Sequence, residues 1–268
     1  MTIRSYYEES YDEDARLADG PLEWVRSKEL IARVLPGRGR VADIAGGTGR
    51  YAAWLAGLGH QVNLLDLVPS HVARARDRAA AAGVVVDCVQ GDARALPWAD
   101  ETFDVVLVMG ALYHLQERSD RVACLREAHR VLKPGGALAA AYVSRWASLF
   151  DGYRHGLVAD PRFVEILDRD LVSGHHENPT GPPTWFTTAY FHTPGEIGPE
   201  LADAGFAETT VLAVEGFTSA CGVPAELQTP EGMSTVLRHI RLTEAEPAVL
   251  GVSSHFMSLS RKAWPTPG

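Results

Sequence analysis

Three glycines within four residues, Gly46, Gly47 and Gly49, restrict what residues 40–59 can become more than any other stretch of the chain. Ahead of them, residues 41–45 are a short apolar run broken only by Asp43, which suits a strand buried on both faces. After them, residues 51–58 read as a helix, with Gly59 placed to end it. Strand, glycine turn and helix together make a cradle for a nucleotide-type cofactor, because a backbone without Cβ can approach a ligand to van der Waals contact. Gly47-Thr-Gly49-Arg-Tyr-Ala52 also satisfies the G-x-G-x-x-A dinucleotide pattern. At this point a nicotinamide-dependent oxidoreductase and a plain ligand-free turn both remain open.

The downstream order follows the same alternation. Residues 61–66 form a second buried strand ending on Asp66, with Leu67 beside it. A carboxylate at a strand C-terminus faces the ligand crevice of a doubly wound sheet and can accept two ribose hydroxyls. A third strand, residues 84–89, runs into Gly91-Asp92-Ala93, where Asp92 can accept an adenine amino group and the Ala93 amide can donate to the ring. Residues 103–109 form the fourth strand, followed at its tip by Gly110-Ala-Leu-Tyr113-His114. Ser119 is expected to cap the next helix, and Lys133-Pro-Gly-Gly136 to turn the chain into a fifth strand over 137–143.

The alternation breaks at Ser144. Residues 145–192 are rich in aromatics and proline and contain two expected short helices. Order returns at Thr193-Pro-Gly-Glu196, a capping box with proline in the first turn. A sixth strand over 209–214, a second excursion over 216–250 and a last strand over 252–260 complete the chain. One domain is expected, with core 21–144 and 193–261, an N-terminal cap over 1–20, and lid insertions at 145–192 and 216–250.

Charge and cysteine usage narrow the classes. A formal net charge of −9 over 268 residues argues against a nucleic-acid partner, which would need clustered Lys and Arg. Cys88, Cys124 and Cys221 give neither a disulfide framework nor zinc spacing. With no signal peptide and no apolar run of membrane-spanning length, no membrane partner is expected and a cytoplasmic location is the default. Nothing in the sequence specifies an oligomeric state.

With Asp43-Ile-Ala-Gly-Gly-Thr-Gly49, Asp66, Gly91-Asp92-Ala93, Phe103-Asp104-Val-Val and Arg130-Val-Leu-Lys-Pro-Gly-Gly136 in place, the chain resembles the class I S-adenosylmethionine (SAM) dependent methyltransferases, in particular the type 11 group. The resemblance implies an α/β fold with a Rossmann-like, seven-stranded, doubly wound sheet whose last strand is antiparallel, and a lid inserted after the fifth strand. It implies S-adenosyl-L-methionine as cofactor, with Asp43, Ala45, Gly46 and Gly47 at the methionine end, Asp66 and Leu67 at the ribose, and Asp92 and Ala93 at the adenine. Met109 and Gly110 would line the cofactor near the sulfonium. Ala45 departs from the group's usual glycine at the first position of the loop. The expected reaction is methyl transfer to O, N or C of a small molecule or short peptide, plausible in specialised metabolism. A SAM-binding cyclase or isomerase and an NAD(P) oxidoreductase are the alternatives.

Methyl transfer is an in-line displacement, so positioning supplies much of the catalysis, and a base is required only if the acceptor must lose a proton. Tyr113 and His114, at the fourth strand's tip, are the candidates for that role. Their alternative roles are a pocket wall and a packed ring. His175-His176-Glu177 lacks metal-ligand spacing and is expected to be a solvated loop, and no metal is called for. Selectivity is assigned to 145–192, carrying Trp146, Phe150, Tyr153, Phe163, Trp185, Phe186, Tyr190 and Phe191, about half of which should only pack the insertion. Residues 1–20 and 217–250 are expected to assist, with Tyr11 reaching the cofactor.

Overall fold

The structure, a computed structural model, describes residues 21–179 and 181–264. Strands β1 (Arg40–Ile44), β2 (Gln61–Asp66), β3 (Val86–Gln90), β4 (Phe103–Val108), β5 (Leu132–Val143), β8 (Phe206–Ala213) and β9 (His255–Lys262) form one sheet in the order β3-β2-β1-β4-β5-β9-β8. The first five run parallel, and β9 inserts antiparallel between β5 and β8. The sheet is the seven-stranded one that the family resemblance implies, with its last strand antiparallel. Two short strands, β6 (His175–His176) and β7 (Ala189–Tyr190), form a separate ribbon within 145–192.

Ten α-helices are described: α1 (Pro21–Ala32), α2 (Arg50–Gly57), α3 (Pro69–Ala81), α4 (Arg118–Val131), α5 (Ala147–Arg154), α6 (Pro161–Ser173), α7 (Pro194–Asp203), α8 (Thr218–Cys221), α9 (Pro230–Thr243) and α10 (Pro247–Leu250). The two faces of the sheet carry separate cores. One packs Ile44, Val106, Val108 and Leu138 against Leu125 of α4 and Leu201 of α7. The other packs Val41, Leu64 and Leu107 against Leu30 of α1, Leu55 of α2 and Val72 of α3. Strand β4 is apolar and almost wholly buried from Val105 to Val108, as a central parallel strand covered on both sides must be.

Local signals mostly hold. Gly59 adopts φ +90° just past α2, and Gly205 adopts φ +94° past α7, the left-handed conformation that ends a helix without a Cβ penalty. Thr193 and Glu196 make the reciprocal capping box at the start of α7. Two details differ. Helix α4 begins at Arg118 with Glu117 at the cap position, so Ser119 lies inside the first turn and caps nothing. Residues 133–136 do not form a separate turn; β5 starts at Leu132 and bulges, so that Phe103 faces Leu132 while Val105 faces Ala137. The Arg40 amide and the Lys133 ammonium both bind Asp104 and pin that bulge to β1.

Helix α1 is fixed from behind by a wholly buried arginine. Arg26 donates to the Val214 carbonyl and pairs with Glu29 and Glu244. Arg33–Glu244 and Arg241–Glu29 continue the link to α9 on the protein surface. Among the described residues no helix is long and apolar enough to cross a membrane.

Candidate functional site

A cavity of about 850 Å³ opens at the C-terminal ends of β1, β2, β4 and β5, the edge on which parallel α/β sheets bind ligands. Ala45, Gly46, Gly47, Asp66, Leu67, Asp92, Ala93, Met109, Gly110, Tyr113 and His114 all line it. Asp43 does not; it lies wholly buried beneath the loop. Tyr11 falls outside the described residues.

Close packing explains the glycines. A Cβ on Gly46 would come within 2.7 Å of Asp43 Oδ2 and of Leu64, and one on Gly110 within 2.8 Å of the Ala45 carbonyl. Gly47, at φ +55°, has open space before it and turns its bare backbone outward. Ala45 holds φ +53° despite its methyl group, a left-handed conformation worth roughly 1–2 kcal/mol of strain at the entrance to the loop. Beneath it, neither carboxylate oxygen of Asp43 has a hydrogen-bond partner of good geometry, and the Ala52 amide faces it only weakly. Burial pushes this acid up to about 7, with the charge of Asp66 adding to the rise and the Ala52 amide offsetting it only in part.

Asp66 is well held. Its Oδ2 accepts the Gly47 N–H at 2.8 Å, and its Oδ1 accepts the Val68 N–H at 2.9 Å with His71 Nδ1 at 3.3 Å. A carboxylate offers about four acceptor directions, so a ligand diol would share Asp66 with these groups. Asp92 is gripped by both arms of the Arg94 guanidinium, at 3.0 and 2.7 Å, and Arg94 is anchored in turn on Asp120. The guanidinium holds the Asp92 carboxyl below its ordinary range, keeping it an ionised acceptor.

Tyr113 and His114 sit on a single 3-10 turn (Leu112–His114) after β4. Their rings lie 4.6 Å apart, and His114 stacks on Phe186 at 5.7 Å. Burial pushes His114 down to about 4, against a smaller opposing effect from its hydrogen bond to the Thr188 backbone. The imidazole is therefore neutral near pH 7 and a weak proton acceptor, which suits a wall better than a base.

The far end of the cavity is supplied by residues 145–192. Of the eight aromatics in that segment, Phe163, Trp185, Phe186 and Phe191 line the cavity, whereas Tyr153 is exposed. His176 is not solvated as expected but buried, with both ring nitrogens engaged. One nitrogen meets Asp170 Oδ2 at 2.9 Å and the other the Trp185 carbonyl at 2.9 Å. Ser148 on α5 donates to the same Asp170 oxygen at 2.6 Å, so α5, α6, β6 and the Trp185 turn meet at one buried carboxylate. Residues 217–250, expected to help select the acceptor, supply none of the residues that line the cavity.

Several lining residues carry no sequence signal of their own: Glu23 and Ser27 on α1, His71, Arg94 and His255. His71 follows Asp66 by five residues across a strand-to-helix turn, and Arg94 follows Asp92 by two, so proximity could have suggested them. His255 could not be found that way, because antiparallel pairing brings it in from the far end of the chain.

Residues 42–140 match the family model described as a methyltransferase domain, of type 11. A ubiquinone/menaquinone biosynthesis C-methyltransferase, UbiE, from Stenotrophomonas maltophilia is 42% identical over 118 residues, 42% of this chain and 45% of the relative. The chain spans about half the length of the curated relatives it matches. Among solved structures, a SAM-dependent methyltransferase from Thermotoga maritima superposes with a TM-score of 0.62 at 21% identity, covering 97% of this chain and 99% of the other. The cyclase SpnF superposes at 0.56 with 21% identity, over 91% of this chain and 82% of its own. The fold is thus that of the SAM-dependent methyltransferases, and it is one a cyclase also uses.

Proposed function

We propose that this chain, whose residues 42–140 match a methyltransferase domain model of type 11, transfers the methyl group of S-adenosylmethionine to a small molecule held against the aromatic end of the cavity. The observation that carries this reading is the continuity of that cavity. One end is the glycine loop with Asp66 and Asp92; the other is Phe163, Trp185, Phe186 and Phe191. The residues suit the cofactor. Gly47 offers an unobstructed backbone, and a buried carboxylate without a partner, Asp43, lies under the loop where the cationic methionine end would sit.

In this reading Asp66 accepts ribose hydroxyls, while Asp92 and the Ala93 amide take the adenine. Met109 and Gly110 bound the reacting methyl. The sulfonium supplies an activated methyl group, and the protein's part is to align it with the acceptor and to exclude water. The curated relatives are named for a quinone-type small molecule, which agrees with an apolar, aromatic acceptor pocket of this size.

Calorimetry with S-adenosylhomocysteine tests the assignment. Asp66→Ala should weaken binding by roughly 1–3 kcal/mol, because the ribose hydroxyls lose their acceptor. Unchanged affinity would remove Asp66 from the site. Release of label from methyl-labelled SAM into product separates methyl transfer from cyclase chemistry, in which the methyl stays on sulfur.

A further inference from the structure

The wall of the cavity that β5 and β9 share carries a second arrangement of titratable groups. Ala213 on β8 pairs with Phe256 on β9, and this register sets Glu215, just beyond β8, beside His255 at the start of β9. The ring Nδ1 of His255 lies 2.6 Å from Glu215 Oε1, and the His255 backbone N–H reaches Glu215 Oε2 at 3.1 Å. One residue thus binds both oxygens of the carboxylate and fixes it in the ring plane's direction. An ionised carboxylate can only accept, so Nδ1 carries the proton and Nε2 is the basic nitrogen of the neutral ring. Glu23 on α1 brings a third ligand-capable atom within 4.8 Å of the other two. His255 is about one quarter exposed and lines the cavity, as do Glu23 and Ser254.

We propose that His255, oriented by Glu215, is the group that takes the acceptor's proton, and that the acceptor is a protic molecule such as a phenol. The inference rests on the methyltransferase reading given above. His255 pairs directly with Val143 at the C-terminal end of β5, and β5 neighbours β4. At about 4.8 Å per strand and about 3.3 Å per residue, with Val143 three residues beyond Ala140, the partner of Val108, His255 stands about 14 Å from the end of β4, a span for an elongated acceptor to bridge with the histidine side chain at one end. The step balances simply. An acceptor lone pair forms the bond to the methyl carbon, the S–C pair stays on sulfur as a neutral thioether, and the acceptor's proton passes to Nε2. The imidazolium so formed keeps its Nδ1–H on Glu215, whose charge balances it, as in other carboxylate-oriented histidine bases. Glu215 is a positioning residue. This assignment also releases Tyr113 and His114 from the role of base, which burial already makes unfavourable for His114.

Two measurements test it. Nitrogen NMR of the imidazoles should show His255 as the Nδ1–H tautomer at neutral pH, and Glu215→Gln should abolish that preference; an Nε2–H tautomer in the unaltered protein overturns the proposal. In the second, 4-nitrophenol is added to the protein saturated with S-adenosylhomocysteine, and the yellow phenolate is read at a pH where free nitrophenol is mostly protonated. The unaltered protein should raise the phenolate signal. His255→Asn should lose that rise and Glu215→Gln reduce it, with His255→Gln as the second variant should Asn fold poorly. No rise, or an equal rise in His255→Asn, overturns the proposal. So does stoichiometric broadening of the His255 signals by Mn²⁺, which would make Glu23, Glu215 and His255 a metal site instead. Failure to bind S-adenosylhomocysteine at all would refute the function rather than the dyad.

Discussion

Replacing Asp43 by asparagine tests the electrostatics of the loop directly. The carboxyl is wholly buried, and burial with the Asp66 charge pushes it from 3.8 up to about 7. A rise of about three units corresponds to about 4 kcal/mol between the protonated and ionised forms, at 1.36 kcal/mol per unit. Because the folded-state value is raised, the folded chain holds this proton more tightly than the unfolded chain does. Its contribution to stability is therefore complete below about pH 4 and is lost as pH rises to about pH 7. Above that, the folded protein carries an ionised, unpartnered carboxylate. Asparagine has nearly the same shape and no charge, so Asp43→Asn should lack this decline. The variant should match the unaltered protein at about pH 4 and exceed its stability by up to about 4 kcal/mol at about pH 8. Urea denaturation of both proteins across that range gives the difference curve. Two parallel curves would mean that Asp43 is not the group described. The same variant should bind S-adenosylhomocysteine less tightly at about pH 8, since the ammonium group at the methionine end then lacks a counter-charge. Greater stability with weaker binding is the combination expected of a residue kept for the ligand.

Other predictions concern the acceptor end. Asp170→Ala leaves His176 and Ser148 buried without their shared partner, a change that typically destabilises by about 3–5 kcal/mol; thermal unfolding should show it, and an unchanged midpoint would mean that residues 145–192 are held by other contacts. Tyr113→Phe and His114→Asn should each lower kcat by less than about tenfold, whereas loss of the true base should lower it by about 10²–10⁴-fold. A drop in the latter range for either variant would return the base to the β4 tip.

The sequence disclosed those parts of the site that rest on local geometry. A run such as Val105–Val108 can only be a central strand, and the glycines before α2 can only be a tight turn, because each is fixed by packing or torsion within a few residues. Thr193 and Glu196 announced α7 for the same reason. What it hid depends on pairings across long separations. Glu215 and His255 are forty residues apart, and only the register of β8 on β9 joins them. His176 reads as a loop residue until α6 brings Asp170 against it. The environment of His114 was equally hidden, since the burial that lowers its pKa arises where it packs on Phe186 beside the Thr188 backbone.

The buried arginine of α1 has a consequence for traffic through the cavity. Glu23 and Ser27 face the ligand space from the same helix that Arg26 ties to Val214 and Glu244. A helix anchored that way is a doorpost, not a door. Swinging it aside would strip a fully buried guanidinium of its partners, a penalty of several kcal/mol on every passage. Among the described walls, the side built from 145–192 is braced within itself instead, since Ser148, Asp170 and His176 lock α5, α6 and β6 to one another.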